Sequence, residues 1–318
     1  MPDLEGRVAV VAGATRGAGR GIACMLGEAG ATVYCTGRSI RGQPATGNRP
    51  ETIEETAELV TAHGGVGIPV QVDHTREDQV RAFFDRVRAE QGQLHILVND
   101  VWGGDELTEW GKPFWELTLS KGLLMLERAV HTHIITARHG ASLLIETGGA
   151  LIVEITDGDF FGYRGNLFYD LVKTSVIRLA FAMARELRTR RVSALAVTPG
   201  FLRSEAMLDH FGVTEANWQE GAKKDPNFIA SETPFFIGSA VAALAADPEV
   251  AKKSGRVFSS WDLSVEYGFT DIDGSRPHWG KHFEKTYGKP GKPIKTCDEA
   301  FYQYWFEGPG DLVFPDWP

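Results

Sequence analysis

The chain has 318 residues, 43% of them hydrophobic and 24% charged, and carries a net charge of −9. That size and composition fit one large globular domain and exclude a disordered chain. The acidic balance argues against a nucleic-acid partner held through its phosphates, and no apolar run approaches the roughly 20 residues that span a bilayer. Cys24, Cys35 and Cys297 stand at no metal-ligand spacing, so no metal is expected. The N-terminus runs directly into a strand pattern without a basic-then-apolar leader. A soluble, cytoplasmic protein with reduced thiols is the expectation.

Residues 8–12 form a short apolar run that stops at Gly13. Ala14, Thr15, Arg16, Gly17, Ala18, Gly19, Arg20 and Gly21 follow, then an amphipathic segment over 22–29. Strand, glycine turn and helix in that order suit a dinucleotide. Gly13 lets the chain reverse, Gly17 lets backbone approach a pyrophosphate, and Gly19 allows close packing beneath it. Amides at the helix start then face the anion. The spacing is Gly-x-x-x-Gly-x-Gly, and the rival reading is a structural turn without a ligand.

A second apolar run, 31–35, leads to Thr36, Gly37 and Arg38. The carboxylate with which NAD binders hold the ribose hydroxyls is absent there, while Arg16 and Arg38 can clamp a 2'-phosphate. The expected cofactor is NADP in preference to NAD, against the alternative that both arginines are simply solvated. Residues 41–50 read as a surface loop before a helix over 51–63. A third strand over 67–72 ends in Asp73, a helix covers 77–90, and a fourth strand over 94–98 ends in Asn99. Residues 113–145 read as one long helix; its His131 and His133 are two apart and share no face, which disfavours a metal site.

A fifth strand, 151–155, ends in Thr156 and Asp157; a helix over 165–187, a sixth strand over 192–197, Pro199 and Gly200, a helix over 234–245 and a seventh strand over 255–258 complete the pattern. The alternation predicts an α/β fold, a doubly wound, Rossmann-like parallel sheet of about seven strands. Ligands of such sheets sit beyond the carboxyl ends of the strands, where Gly13, Asp73 and Asn99 fall.

On the helix over 165–187, Tyr169 and Lys173 are four apart and share one face. A phenol titrates near ~10, so work at neutral pH needs roughly 4 kcal/mol of selective help for the phenolate. One ammonium about 4 Å away supplies on the order of that at an effective dielectric near 20. Tyr169 then serves as acid or base. The bland alternative is an ordinary helix surface.

Assembled, Gly13-Ala14-Thr15-Arg16-Gly17-Ala18-Gly19, Asp73, Asn99-Asp100-Val101-Trp102, Tyr169-Asp170-Leu171-Val172-Lys173 and Pro199-Gly200 resemble the short-chain dehydrogenase/reductase family over roughly residues 5–260. Within it the chain looks most like the dehydrogenase/reductase member one subgroup. The resemblance implies that Tyr169 exchanges a proton with the substrate oxygen, while Lys173 lowers the phenol pKa and binds the nicotinamide ribose. It puts Asp73 against adenine, Asn99 and Val101 on the adenosine side, and Pro199, Gly200 and Leu202 against the carboxamide. Family members commonly form dimers or tetramers, so a homodimer or homotetramer is expected.

Two departures stand out. The Ser-Ser pair usual at the end of the fifth strand is Thr156-Asp157 here. Thr156 can replace the serine hydroxyl, whereas an ionised Asp157 cannot donate a hydrogen bond and would raise the Tyr169 pKa unless burial protonates it. Both stay candidate catalytic residues. The asparagine of the long helix is replaced, by alignment, with Leu119 beside Ser120, and the usual Asn-Asn-Ala-Gly turn reads Asn99-Asp100-Val101-Trp102.

Residues 1–270 are expected to form the nucleotide-binding domain, with a substrate lid over 201–236. Phe201, Met207, Leu208, Phe211, Trp218, Phe228, Phe235 and Phe236 would line that lid for a bulky, weakly polar carbonyl or alcohol, unless they are the lid's own core. Residues 271–318 form an aromatic-rich extension expected to dock on its own domain or a neighbouring subunit. The reading is an NADP-dependent oxidoreductase interconverting a carbonyl and an alcohol, with no nucleic-acid or membrane partner. The alternative is a catalytically silent dinucleotide-binding sensor.

Overall fold

The computed structural model describes residues 2–43, 45, 47–159 and 163–288. Its centre is a parallel sheet of seven strands, and the helices before and between them cover both faces. In chain order they are β1 (Val8–Ala12), α1 (Gly17–Glu28), β2 (Thr32–Gly37), α2 (Ile53–Ala62), β3 (Val66–Gln71), α3 (Glu77–Gln91), β4 (Ile96–Asn99), α4 (Leu119–Leu126), α5 (Thr132–Thr147), β5 (Ala150–Ile155), α6 (Leu167–Leu187), β6 (Val192–Thr198), α7 (Glu205–Phe211), α8 (Pro234–Ala246), β7 (Val257–Ser259), α9 (Ser260–Tyr267) and α10 (Trp279–Tyr287).

The strands lie in the order β3-β2-β1-β4-β5-β6-β7. Every pairing is parallel, from Val8 beside Thr32 to Thr198 beside Ser259. The sequence explains the order of layers. β5 and β6 are buried at every residue, as strands covered on both faces must be, and they read as near-continuous apolar runs. β3 lies at the edge with Val66 exposed, which is where Pro69, lacking an N–H, is tolerated. One face packs Ile22, Leu26, Ile237 and Val241 on the sheet; the other packs Phe83, Phe84, Leu143 and Leu144. On the first face α1 and α8 approach so closely that a Cβ on Gly21 would stand 2.0 Å from the Pro234 carbonyl oxygen.

Two expected helices differ from what is found. The segment 113–145 does not begin its long helix at Pro113: residues Phe114–Glu116 form a short 3-10 turn and α4 starts at Leu119. Between α4 and α5, residues Glu127–His131 form a π-helical turn, a distortion that recurs at functional sites. The helix carrying Tyr169 starts at Leu167 and not at 165. Gly165 has a φ of +80°, outside helical values, and the Asn166 side chain caps the helix by accepting from the Tyr169 amide at 3.1 Å.

The C-terminal extension is described as far as residue 288. Its helix α10 packs against the lid, with Trp279 edge-on to Phe201 at 5.9 Å and the Tyr287 side chain bonded to Asn227. Phe301, Tyr302, Tyr304, Trp305, Phe306, Phe314 and Trp317 lie outside the described residues, as does Cys297. Cys24 and Cys35 are free, buried thiols. Among the described residues no helix is long and apolar enough to cross a membrane, and no group of side chains is arranged to hold a metal ion.

Candidate active site

The sheet reverses direction of winding at β1, which has β2 on one side and β4 on the other. Ligands of open parallel sheets bind in the crevice such a reversal leaves. Here a cleft of about 1540 Å³ opens beyond the carboxyl ends of the strands. That exceeds the roughly 300–1,000 Å³ typical of a single small ligand, leaving room for a dinucleotide and a substrate together.

One end of the cleft is built by the turn after β1. Gly13 takes a φ of +93°, and a Cβ there would stand 2.4 Å from the Asp100 carbonyl oxygen. Gly17, at the start of α1, has φ +57° and a Cβ there would touch Ser204 Cβ at 3.7 Å, while Gly19 is pressed against Gly13, where a Cβ would meet its carbonyl oxygen at 2.3 Å. Gly13, Thr15, Arg16, Gly17 and Ala18 line this end together with Arg38, Ser39 and Asp73. Arg16 reaches Glu51 at 3.6 Å, and Arg38 is near enough to help hold Asp73 below the usual aspartate range. Two guanidiniums, two hydroxyls and the amides of a helix start form a donor set suited to phosphates.

Asn99 and Gly19 do not line the cleft. Asn99 is fully buried behind its wall, its side-chain amide donating to Glu154 Oε1 at 2.7 Å. Glu154 Oε2 lies 2.5 Å from His133 Nδ1, and His133 Nε2 lies 3.1 Å from the Val101 carbonyl oxygen. Both His133 nitrogens thus face oxygens, and the pair ties β4, β5 and α5 together. Val101 does line the cleft, held by this bond. The adjacent Asp100 is buried and is pushed up to about 7 by that burial, with Lys173 and His133 opposing. His74, bonded at 2.8 Å to both Thr36 and Thr136, is held down to about 3 by burial and stays neutral.

The other end holds the candidate catalytic side chains. Tyr169 and Lys173 both line the cleft from the first two turns of α6, as do Thr156 and Asp157 from the end of β5. The pair at β5 divides by alternation. Thr156 turns inward and donates to the Lys173 carbonyl oxygen at 2.8 Å, whereas Asp157 Oδ2 accepts the Tyr169 hydroxyl at 2.8 Å. Asp157 therefore takes the place beside the phenol, and Thr156 braces the helix.

This geometry reverses the direction expected for the phenol. Burial and the Asp157 carboxylate hold Tyr169 well above its ordinary value, with Arg164 opposing. Lys173 lies over the Trp102 ring, 4.3 Å from its centroid and 5.5 Å from that of Tyr169. Burial lowers its pKa, while Asp157, Asp100 and Asp105 support its charge. Trp102 and Trp110 flank the Tyr169 ring at 5.6 and 5.1 Å, and Trp102 is fixed by donating to Asp105 at 2.6 Å. Arg164 donates to the Asp157 carbonyl oxygen at 2.5 Å and to Asp170 at 3.1 Å.

Leu119 is not near the phenol. It is 64% exposed at the start of α4, and the side chains packed on Tyr169 from this direction belong to the cluster of Met125, Ala129 and Val172.

Pro199, Gly200 and Leu202 line the cleft between the two ends. The Gly200 amide and the Ser260 hydroxyl both donate to Glu232, a buried carboxyl pushed up to about 8 by desolvation. Of the lid's rings, Phe201 faces the cleft with Met207, while Phe211, Phe228 and Phe236 are buried and Phe235 stacks on His63. Most of the aromatic lid is thus its own core, and the cleft wall there is completed by Trp279 and Phe283 of α10.

Sequence reasoning missed four residues. Glu205 of α7 accepts the Gly17 amide at 2.8 Å, latching the lid to the glycine turn. Glu232 gave no signal in a loop. His133 and Glu154 gave one: a lone glutamate inside the apolar run Leu-Ile-Val-Glu-Ile needs a buried partner.

A nucleotide-sized cleft at the reversal of a parallel sheet, with a tyrosine and a lysine on one helix face, defines a dinucleotide-dependent oxidoreductase. The family model described as short chain dehydrogenase matches residues 7–211. The chain is 36% identical over 279 residues to Dehydrogenase/reductase SDR family member 1 of Mus musculus, covering 86% of each, and 35% identical to its Homo sapiens counterpart over 275 residues, 85% of each. It is 27% identical to 3-oxoacyl-[acyl-carrier-protein] reductase FabG of Pseudomonas aeruginosa, over 75% of this chain and 95% of that one. Among solved structures, a putative dehydrogenase from Xanthomonas campestris superposes with a TM-score of 0.71 at 23% identity, over 86% of this chain and 94% of that one. The chain belongs to the short-chain dehydrogenase/reductase family. Members of that family use NAD(P) and act on small molecules.

Proposed function

We propose that the protein is an NADP-dependent oxidoreductase that interconverts a carbonyl and an alcohol, working in the reductive direction at neutral pH. The observation that carries this is the opening of Tyr169 and Lys173 into the same cleft as the glycine turn and Arg38. Arg16 and Arg38, with no carboxylate at the end of β2, support a 2'-phosphate over bare ribose hydroxyls. Thr15, Gly17 and Ala18 would receive the pyrophosphate, Asp73 and Val101 the adenosine, and Pro199, Gly200 and Leu202 the carboxamide. The bound nicotinamide supplies a hydride.

Tyr169 holds the proton that balances that hydride. With its pKa well above the ordinary value it stays protonated at pH 7 and is no base there; so weak an acid gives its proton only to a strongly basic atom, such as the alkoxide oxygen that hydride transfer to a carbonyl would leave. Lys173 keeps a positive charge under the site, anchored on Trp102. The apolar residues exposed along α4, α5 and α6, Leu119, Leu123, Ile134 and Leu171, support a homo-oligomer built on that face. The free thiols of Cys24 and Cys35 support a cytoplasmic setting.

The test is a panel of aldehydes and ketones with NADPH, followed at 340 nm on the wild type and on Tyr169→Phe. Turnover by the wild type that falls at least 10²-fold in the variant, with NADPH affinity within twofold, is expected. NADPH binding without turnover on any substrate would favour the silent sensor, a reading that the bond from Tyr169 to Asp157 itself invites.

A further inference from the structure

We propose that the substrate end of the cleft is built for a cationic nitrogen compound, with Asp157 receiving an N–H from a protonated C=N group or from the amine it becomes. This rests on the oxidoreductase reading above, keeps its hydride transfer, and puts a C=N bond where that reading has the carbonyl. The reacting atom must sit by the Tyr169 hydroxyl, and that hydroxyl is 2.8 Å from Asp157 Oδ2. A carboxylate only accepts hydrogen bonds. A carbonyl oxygen placed there would set acceptor against acceptor, and the negative charge it gains on reduction would be repelled. A protonated C=N reverses both signs, because its nitrogen donates and its charge is positive.

The surroundings agree with that choice. Asp159 and Asp262 also line the cleft, close enough that Asp262, together with burial, raises the Asp159 pKa. Trp110, Trp261 and Trp279 present ring surface in the same space. Faces of such rings attract cations, as Trp102 already does with Lys173 at 4.3 Å. Of the cations nearest Asp157, Lys173 sits on the Trp102 ring with Asp157 supporting its charge, and Arg164 bonds Asp170 and main-chain carbonyls, Asp157's own among them, so the carboxylate already stands in a site that holds positive charge.

The step balances without a further reagent. The substrate carbon gains a hydride with its electron pair, and the C=N π pair moves onto nitrogen. The dinucleotide is oxidised by two electrons, and the nitrogen keeps the proton it brought. An unprotonated imine would take that proton from Tyr169, regained from solvent afterwards.

The experiment compares molecules of one skeleton. Calorimetry on the full chain holding NADPH measures tetrahydroisoquinolinium against uncharged 2-tetralol at pH 6.5, and NADPH oxidation compares 3,4-dihydroisoquinoline with 2-tetralone. The wild type is expected to bind the ammonium at least tenfold tighter and to reduce the C=N compound with at least tenfold higher kcat/KM. In Asp157→Asn the binding preference should fall below twofold, and in Asp157→Ser the ketone should become the better substrate. Equal binding of the two ligands by the wild type, or a preference that survives Asp157→Asn, overturns the inference even if ketones are reduced. Asp157-dependent ammonium binding with no hydride transfer to either compound would support the cation site and sink the oxidoreductase reading alone.

Discussion

The two ends of the cleft are built by different means. At the phosphate end, the turn after β1 and the end of β2 present amides, Thr15, Arg16 and Arg38, groups whose positions follow from a strand, a glycine turn and a helix start. At the chemical end, Tyr169 and Lys173 are mounted on a helix in the familiar spacing, but their neighbours are Asp157, Trp102 and Trp110. A polyanion is held by the backbone itself, so the first end has little room to change. The second end is made of exchangeable side chains, and one substitution turns a hydrogen-bond donor into an acceptor. The same fold can therefore keep its cofactor while changing what it reduces.

Breaking the buried pair behind the cleft wall should have the largest effect. His133→Ala leaves Glu154 buried with only the Asn99 amide on it, and a loss on the order of 3–5 kcal/mol of stability is expected in denaturant titration. A loss under 1 kcal/mol would show that the pair does not hold β5 and α5 together. The phosphate end is tested by Arg38→Asp, which should lower NADPH affinity relative to NADH by about 10- to 100-fold, or roughly 1.4–2.8 kcal/mol. An unchanged ratio would remove the phosphate clamp.

The Gly200 loop rests on Glu232, whose carboxyl is pushed by burial up to about 8, well above the usual glutamate range. A raised carboxyl contributes stability that is complete below the unfolded value and is lost as pH rises through the folded one. Unfolding free energy should thus fall from pH 5 to pH 9, by about 1–3 kcal/mol, and Glu232→Gln should flatten that slope. The smallest effect is expected from Asp157→Ser on the pH profile of kcat/KM for reduction. Removing the carboxylate lets the Tyr169 pKa drop, so the basic limb should move to lower pH by about one unit. A limb that stays in place would separate the phenol's acidity from Asp157.

Much of this was legible in the sequence, for physical reasons that also explain what was not. Apolar strand runs and their order gave the seven parallel strands, because the inner strands are covered on both faces and read as near-continuous apolar runs. Gly19 was read as a packing glycine, and its contact with Gly13 agrees. Asn99 was expected at the ligand and is instead bonded to Glu154, since the end of a strand says little about which way a side chain turns. The choice between Thr156 and Asp157 needed three dimensions, because counting along the chain cannot tell which of two adjacent residues faces the helix opposite. The π-helical turn at Glu127–His131 was invisible to periodicity, which read 113–145 as one regular helix. The lone glutamate in β5 was visible and was passed over.

The central claim is that Tyr169 stands as proton donor where NADPH delivers its hydride. The most direct measurement is mass spectrometry of products formed from a panel of carbonyl compounds, which bring no proton of their own, with NADPH deuterated at C4. The account predicts deuterium on the reduced carbon with the wild type and at least 10²-fold less product with Tyr169→Phe at equal nucleotide occupancy. Labelled product forming at the same rate in both proteins would contradict it.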